Sequence, residues 1–101
     1  MTQRNFQGIR IQTNKDGWIP PGELNKPGAY GKPTNPRIVG TPADRWTVCA
    51  PNGNSCSLDP QIHKVIEHDD GTITVTPSID MSRLYRDGWH GWLQRGVWIS
   101  V

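Results

Sequence analysis

The chain is short of most things that fill a large core or mark a familiar chemistry. It has one phenylalanine, two methionines and two cysteines, and only 34% of its 101 residues are hydrophobic. A core built from that inventory is small and leans on tryptophan, of which there are five. No apolar run reaches the ~18–20 residues of a membrane span. The opening MTQRNFQG lacks the apolar stretch of a secretory signal. The expectation is a protein made in the cytoplasm, with no membrane partner.

Charge of neither sign dominates. Eleven Lys and Arg stand against nine Asp and Glu, a formal charge of +2. No contiguous basic stripe emerges, which argues against nucleic acid as a partner. The distribution is uneven: residues 1–48 carry seven basic and three acidic side chains, residues 49–101 four and six. Such asymmetry can steer association with other copies or with an oppositely charged surface. Catalytic signatures are missing as well: there is no H-E-x-x-H, G-x-S-x-G, phosphate loop or dinucleotide fingerprint. Ser78, His90 and Asp80 or Asp87 hold the atoms of a nucleophilic triad, but no positioning motif accompanies them. The expectation is therefore a protein that is not an enzyme and needs no cofactor.

What is present is glycine, proline and β pattern. Eleven Gly and nine Pro oppose long helices and favour turns, short strands and extended segments. FQGIRIQ alternates, setting Ile9 and Ile11 on one face and Arg10 and Gln12 on the other, as a half-buried strand does. From Pro20 to Pro42, ten of 23 residues are Pro or Gly. That composition predicts an extended arm, partly polyproline II, without a helix or a central strand. The arm either packs on its own domain or reaches onto a neighbour, with Tyr30 and Ile38 as its apolar contacts.

From residue 45 the pattern is β throughout. RWTV places Trp46 and Val48 together, and Asn52-Gly53 tips the loop CAPNGNSC. IHKVIEH-DDG-TITVT reads as a hairpin. A two-residue Asp70-Gly71 turn would set Ile66 opposite Val75 and His68 opposite Ile73, leaving Thr72, Thr74 and Thr76 on a wet face. Proline then closes that strand, and Asp80 caps one helical turn over residues 80–86.

The final stretch, GWHGWLQRGVWISV, turns at Arg95-Gly96. Pairing outward sets Leu93 opposite Trp98, Trp92 opposite Ile99 and His90 opposite Val101. Both faces of that hairpin are apolar, so both need cover. The whole chain reads as mainly β: a small antiparallel sheet, sandwich or partial barrel of hairpins over residues 45–101. Residues 1–44 add a short strand and the extended Pro/Gly-rich arm.

Cys49, Cys56, His63 and His90 are the ligand types of a tetrahedral zinc site, but six residues separate the two cysteines, wider than structural sites usually allow. A zinc site, a Cys49–Cys56 disulfide and two free thiols all remain open readings; no metal ligand is assigned. Trp, Tyr and Arg are enriched at interface hot spots, and they cluster near the C-terminus. Trp89, Trp92, Trp98, Tyr85 and Arg86, with Tyr30 and Ile38 of the arm, are the candidate partner-binding residues.

EHDDGTITVTPSID followed by GWHGWLQRGVWISV resembles a pattern in a family of small tailed-bacteriophage proteins. There a GTITV-x-PSI strand precedes a WHG-x-L-x-x-G-x-W hairpin by a short insert. The resemblance covers about residues 62–101 and omits the arm. Some relatives begin with close cysteine pairs that suggest a metal; this chain departs from them in lacking such pairs. The resemblance implies a phage origin and a β-rich fold, with no activity to carry over. Together with the two-faced hairpin it suggests a virion structural protein, of the capsid decoration or cement type, whose partners are capsid subunits and copies of itself. The alternative is a small soluble factor, zinc-stabilised or metal-free, that binds and modulates a host protein.

Overall fold

Short alternating segments joined by glycine turns can bury one face each only by stacking into layers. The computed structural model, which describes residues 5–20, 22–32 and 45–101, arranges nine such strands in two sheets. In chain order they are β1 (Asn5–Gln7), β2 (Ile9–Arg10), β3 (Ala29–Gly31), β4 (Thr47–Cys49), β5 (Ser55–Ser57), β6 (Lys64–Glu67), β7 (Ile73–Asp80), β8 (His90–Gln94) and β9 (Val97–Ser100). The larger sheet runs β1-β9-β8-β7-β6, all antiparallel. The smaller runs β2-β3-β4-β5, with β2 parallel to β3 and the rest antiparallel. The mainly β architecture expected from the sequence is the one found. Among the described residues no helix is long and apolar enough to cross a membrane.

The core lies between the sheets. Ile73, Val75, Ile79, Leu93 and Trp98 come from the large sheet, and Tyr30 and Val48 from the small one, with Trp46, Ala50, Leu58 and Met81 closing its margins. Trp98 is fully buried and its indole Nε1–H donates to Gly28 O at 2.9 Å, so the ring is both filler and fastener. A second, smaller cluster of Ile11, Ala29 and Cys49, with Ile19 and Leu24 packed against it, lies on the other face of the small sheet.

Residues 5–31 are woven into both sheets. β1 pairs with β9, and β3 with β4, so the expected boundary at residue 44 does not part the described residues into an arm and a body. The chain crosses from one sheet to the other at Gly8. A Cβ there would sit 2.5 Å from Gly96 O and 2.9 Å from the Tyr30 ring.

The Pro/Gly stretch departs most from expectation. It holds a 3-10 turn, Glu23–Asn25, and then β3, whose three residues are buried between β2 and β4. Prolines 27 and 33 flank β3 and none falls inside it, so its ladder keeps every backbone donor. Gly31 has no side chain, which lets Ile19 and Leu24 close down on that face. Residues 33–44, including Ile38, lie outside the described residues.

Three further local expectations are corrected. Ile9 and Ile11 do not share burial: Ile11 is buried, Ile9 is exposed, and Arg10 turns inward. Arg10 Nη1 donates to Glu67 Oε2 at 2.9 Å and to Gly71 O at 2.7 Å, with its guanidinium 4.8 Å from the Trp46 ring centre. Second, the β6–β7 register is Ile66↔Thr74 and Val65↔Val75, one residue from the expected pairing. The connection is a three-residue loop: Gly71 N donates to His68 O, Gly71 takes φ +86°, and His68 N donates to Thr72 O. Asp70 Oδ1 holds it by accepting from Thr72 N and Thr72 Oγ1. A slip of one exchanges the faces, so Ile66 is 44% exposed while Val65 packs on the core. Third, β7 does not end at Pro77. Between Val75↔Leu93 and Ile79↔Gly91 it advances four residues while β8 advances two, and proline is tolerated in that bulge because no ladder donor is needed there. The following turn never becomes a helix, although Asp80 Oδ1 does accept from Ser82 N and Tyr85 N donates to Met81 O.

Candidate contact face and polar cluster

The C-terminal hairpin has the register read from its sequence: Leu93↔Trp98 and Trp92↔Ile99, with Val101 N donating to His90 O. Arg95 and Gly96 take φ +46° and +77°, the paired positive angles of a two-residue turn whose twist suits a hairpin. Leu93 and Trp98 therefore point into the core. Trp92, Val97 and Ile99 point the other way and are half-buried, with Val101 exposed beyond them. Across the same face Ile66 stands exposed beside Thr74 and Thr76. On the β6–β7 half of this outer face β7 presents Thr74 and Thr76 and β6 presents Lys64 and Ile66, whereas the β8–β9 half is aromatic and aliphatic.

The expected partner-binding residues scatter over different roles. Trp92 lies on the outer face. Trp89 is half-buried, edge-on to Trp98 with ring centres 5.1 Å apart and planes at 86°. Trp98 at 0% and Tyr30 at 1% exposure are core residues that no partner can reach, which corrects their assignment as contacts. Both lie where the sheets face each other, and in a chain with few aliphatics large rings must fill that space. Burial pushes the Tyr30 phenol above its ordinary range, although Arg10 pulls the other way. Tyr85 is exposed and its hydroxyl donates to Ser55 O at 2.7 Å, capping the edge of β5. Arg86 is exposed in the adjoining turn. Ile38 lies outside the described residues.

The β7 bulge builds a polar cluster that the residue pattern did not announce. Ser78 Oγ lies 3.2 Å from His90 Nε2, and His63 Nε2 donates to Ser78 O at 3.1 Å. Asp80 is the cross-strand partner of His90. Its carboxyl is held below the ordinary range, first by the Ser82 backbone N–H, then by the Ser82 side chain, with the charges of His90 and Arg83 adding to these. Beside the cluster runs a groove of about 420 Å³ bordered by Leu58, Ile62, His63, Ser78, Arg83 and Leu84. A serine–histidine contact can pass a proton. Among the described residues, however, no hydrogen bond orients the second imidazole nitrogen of His90, and Ser78 meets one requirement of a nucleophilic site without the others.

The two thiols stand apart. Cys49 packs with Ile11 and Ala29 in the small cluster, while Cys56, opposite Val48, packs against the main core, so they lie on opposite faces of one sheet and both are free. Burial raises both thiol pKa values, which keeps them protonated and unreactive. Among the described residues no three His, Cys, Asp or Glu side chains are gathered to hold a metal. The Ser78–His90 contact joins residues twelve positions apart, and only an antiparallel pairing with a bulge brings them together. No spacing rule signals that. Comparison with protein-family models, with curated proteins and with solved structures finds no match to this chain.

Proposed function

We propose that this chain is a non-enzymatic structural protein of a tailed-phage particle, a decoration or cement-type component that works through protein–protein contacts. The observation that carries the reading is the outer face of the hairpin. Trp92, Val97, Ile99 and Val101 form one apolar strip beside β7, which presents Thr74 and Thr76 on the same face. An apolar strip with a polar border is the usual form of a contact surface. Trp92 at its centre has the size and shape of an anchor residue. The resemblance over residues 62–101 supplies the phage context and makes capsid subunits and further copies of this chain the partners to look for.

Purified particles should contain the chain by mass spectrometry. A Trp92→Ser/Ile99→Thr variant should stay folded yet be lost from them. Absence of the wild-type chain from the particle ends the virion reading. Capture of a host protein through the same face would then move the proposal to a soluble factor that modulates its host.

A further inference from the structure

The one Asn-Gly step of the chain sits at the tip of the β4–β5 hairpin, where the fold both requires it and restrains it. Residues 51–53 form a three-residue loop: Gly53 N donates to Ala50 O at 2.8 Å, and Ala50 N donates to Asn54 O at 2.7 Å. Gly53 takes φ +93°, and a Cβ there would meet nothing within 4 Å, so backbone conformation rather than space demands glycine. That glycine carries a chemical liability. No β-carbon crowds its nitrogen, which makes an Asn-Gly step the most easily cyclised of the Asn–X steps. Asn52 and Gly53 are both exposed, so water reaches them.

Hydrogen bonds restrain every reacting group. The Gly53 N–H is engaged on Ala50 O. Asn52 Nδ2 donates to Asn54 Oδ1 at 2.9 Å and to Asp87 O at 3.1 Å, and Asn52 Oδ1 accepts from Asn54 N at 3.1 Å. Asp87 O can only accept and Asn54 N can only donate, so the Asn52 amide has a single orientation. Asn54 Oδ1 also accepts from Trp89 N at 3.2 Å, and the Trp89 ring packs edge-on against the buried Trp98. One amide network thus ties the hairpin tip to the segment that leads into β8.

We infer that Asn52 is a latent deamidation site, held closed by this network, whose modification releases the anchor of Trp89. In the reaction the Gly53 nitrogen loses its proton and bonds to Asn52 Cγ, and Nδ2 leaves as ammonia. Water then opens the cyclic imide at either carbonyl, giving aspartate or isoaspartate; nothing is oxidised or reduced. Ring closure requires the Gly53 N–H to leave Ala50 O and the side chain to leave Asn54 and Asp87, so it proceeds from a locally opened loop. The product cannot rebuild the network. A carboxylate has no N–H to give, and it would face Asn54 Oδ1 and Asp87 O, both acceptors. If the Asn54 amide turns over to meet it, Trp89 N loses its acceptor. The change runs one way and loosens the Trp89 segment.

The test is peptide mapping of the full chain, held at mildly alkaline pH, for aspartate and isoaspartate at position 52. The synthetic peptide APNGNS (residues 50–55) and the chain in guanidinium chloride serve as open references. The folded chain should react more slowly than either by about tenfold or more, because its hydrogen bonds must break first. Asn54→Ala removes the side-chain acceptor and should speed the folded chain by about fivefold. Asn54→Asp keeps an oxygen there and should stay slow. Asn52→Asp should move the Trp89 amide and indole signals of the ¹⁵N-labelled chain while the Trp46 indole keeps its position. A folded chain that reacts as fast as the peptide overturns the inference. So does a folded Asn54→Ala as slow as the wild type, or an Asn52→Asp that leaves Trp89 unmoved. If Asn54→Ala does not fold, the comparison with the peptide and the Asn52→Asp spectrum carry the test.

Discussion

The two sheets share one core but differ in how they are finished. The small sheet is covered on both faces: Tyr30 and Val48 meet the large sheet, while Ala29 and Cys49 lie under Ile11, Ile19 and Leu24. Among the described residues the large sheet is covered on one face, and its other face keeps Trp92, Val97 and Ile99 half-buried. The difference teaches what the Pro/Gly stretch does. Its described part supplies the small sheet's inner strand β3 and, through Leu24, part of its cover, and Gly31 has no side chain to hold Ile19 and Leu24 away. Among the described residues no element lies over the apolar surplus of the large sheet.

Breaking the shared core has the largest expected effect. Trp98→Ala removes a fully buried ring that both sheets pack against and one of the two donors to Gly28 O, so a loss of about 3–5 kcal/mol is expected in urea denaturation. For a domain of this size that approaches the whole stability. A loss under about 1 kcal/mol would mean that the two sheets do not depend on a common core.

Arg10 sharpens the comparison, because it ties the edge of the small sheet to the β6–β7 hairpin of the large one. Arg10→Met should cost about 1–3 kcal/mol, since it removes two charge-assisted hydrogen bonds and the stack on Trp46 while keeping the aliphatic stem. Glu67→Gln should cost less than this. The Glu67 end of the pair is nearly half exposed, and such pairs contribute little on their own.

Trp92→Ser/Ile99→Thr on the outer face should change the stability of the isolated chain by no more than about 1–2 kcal/mol, the range of one cross-strand pair on a half-open surface. A loss as large as that of Trp98→Ala would show that the outer face is a core face.

The smallest expected effect is one of pH. The Asp70 carboxyl is held below its ordinary value of 3.8, first by the Thr72 hydroxyl and then by the Thr72 backbone N–H. A folded pKa below the unfolded one adds stability that is present above the unfolded value and lost as pH falls through the folded value. Asp70→Asn should therefore lose a small stability at neutral pH and flatten the acid side of the curve, so that the two chains converge below about pH 4. An unchanged acid limb would mean that the Asp70–Thr72 contact does not hold the loop.

How far the fold was legible depended on whether a local rule had a single solution. Arg95-Gly96 is bracketed by residues that suit only one hairpin register, and that register is the one found. The DDG turn admits both a two-residue and a three-residue loop. The αL conformation of Gly71 and the hydrogen bonds of Asp70 favour the second, which moves Ile66 to the surface. The candidate site was less legible still. Trp92 and Trp89 were named together with Trp98 and Tyr30 because residue type cannot separate a contact ring from a core ring. The Ser78–His90 pair needed a bulge.

By itself, then, the sequence determined the β class, the glycine turns and the pairing of the last hairpin, because each rests on interactions within a few residues of one another. Tertiary structure alone decided that Tyr30 and Trp98 are core, that Ala29–Gly31 is a central strand and that Arg10 turns inward. Those outcomes depend on which surfaces are brought face to face, and burial is a property of the pair of surfaces rather than of either strand.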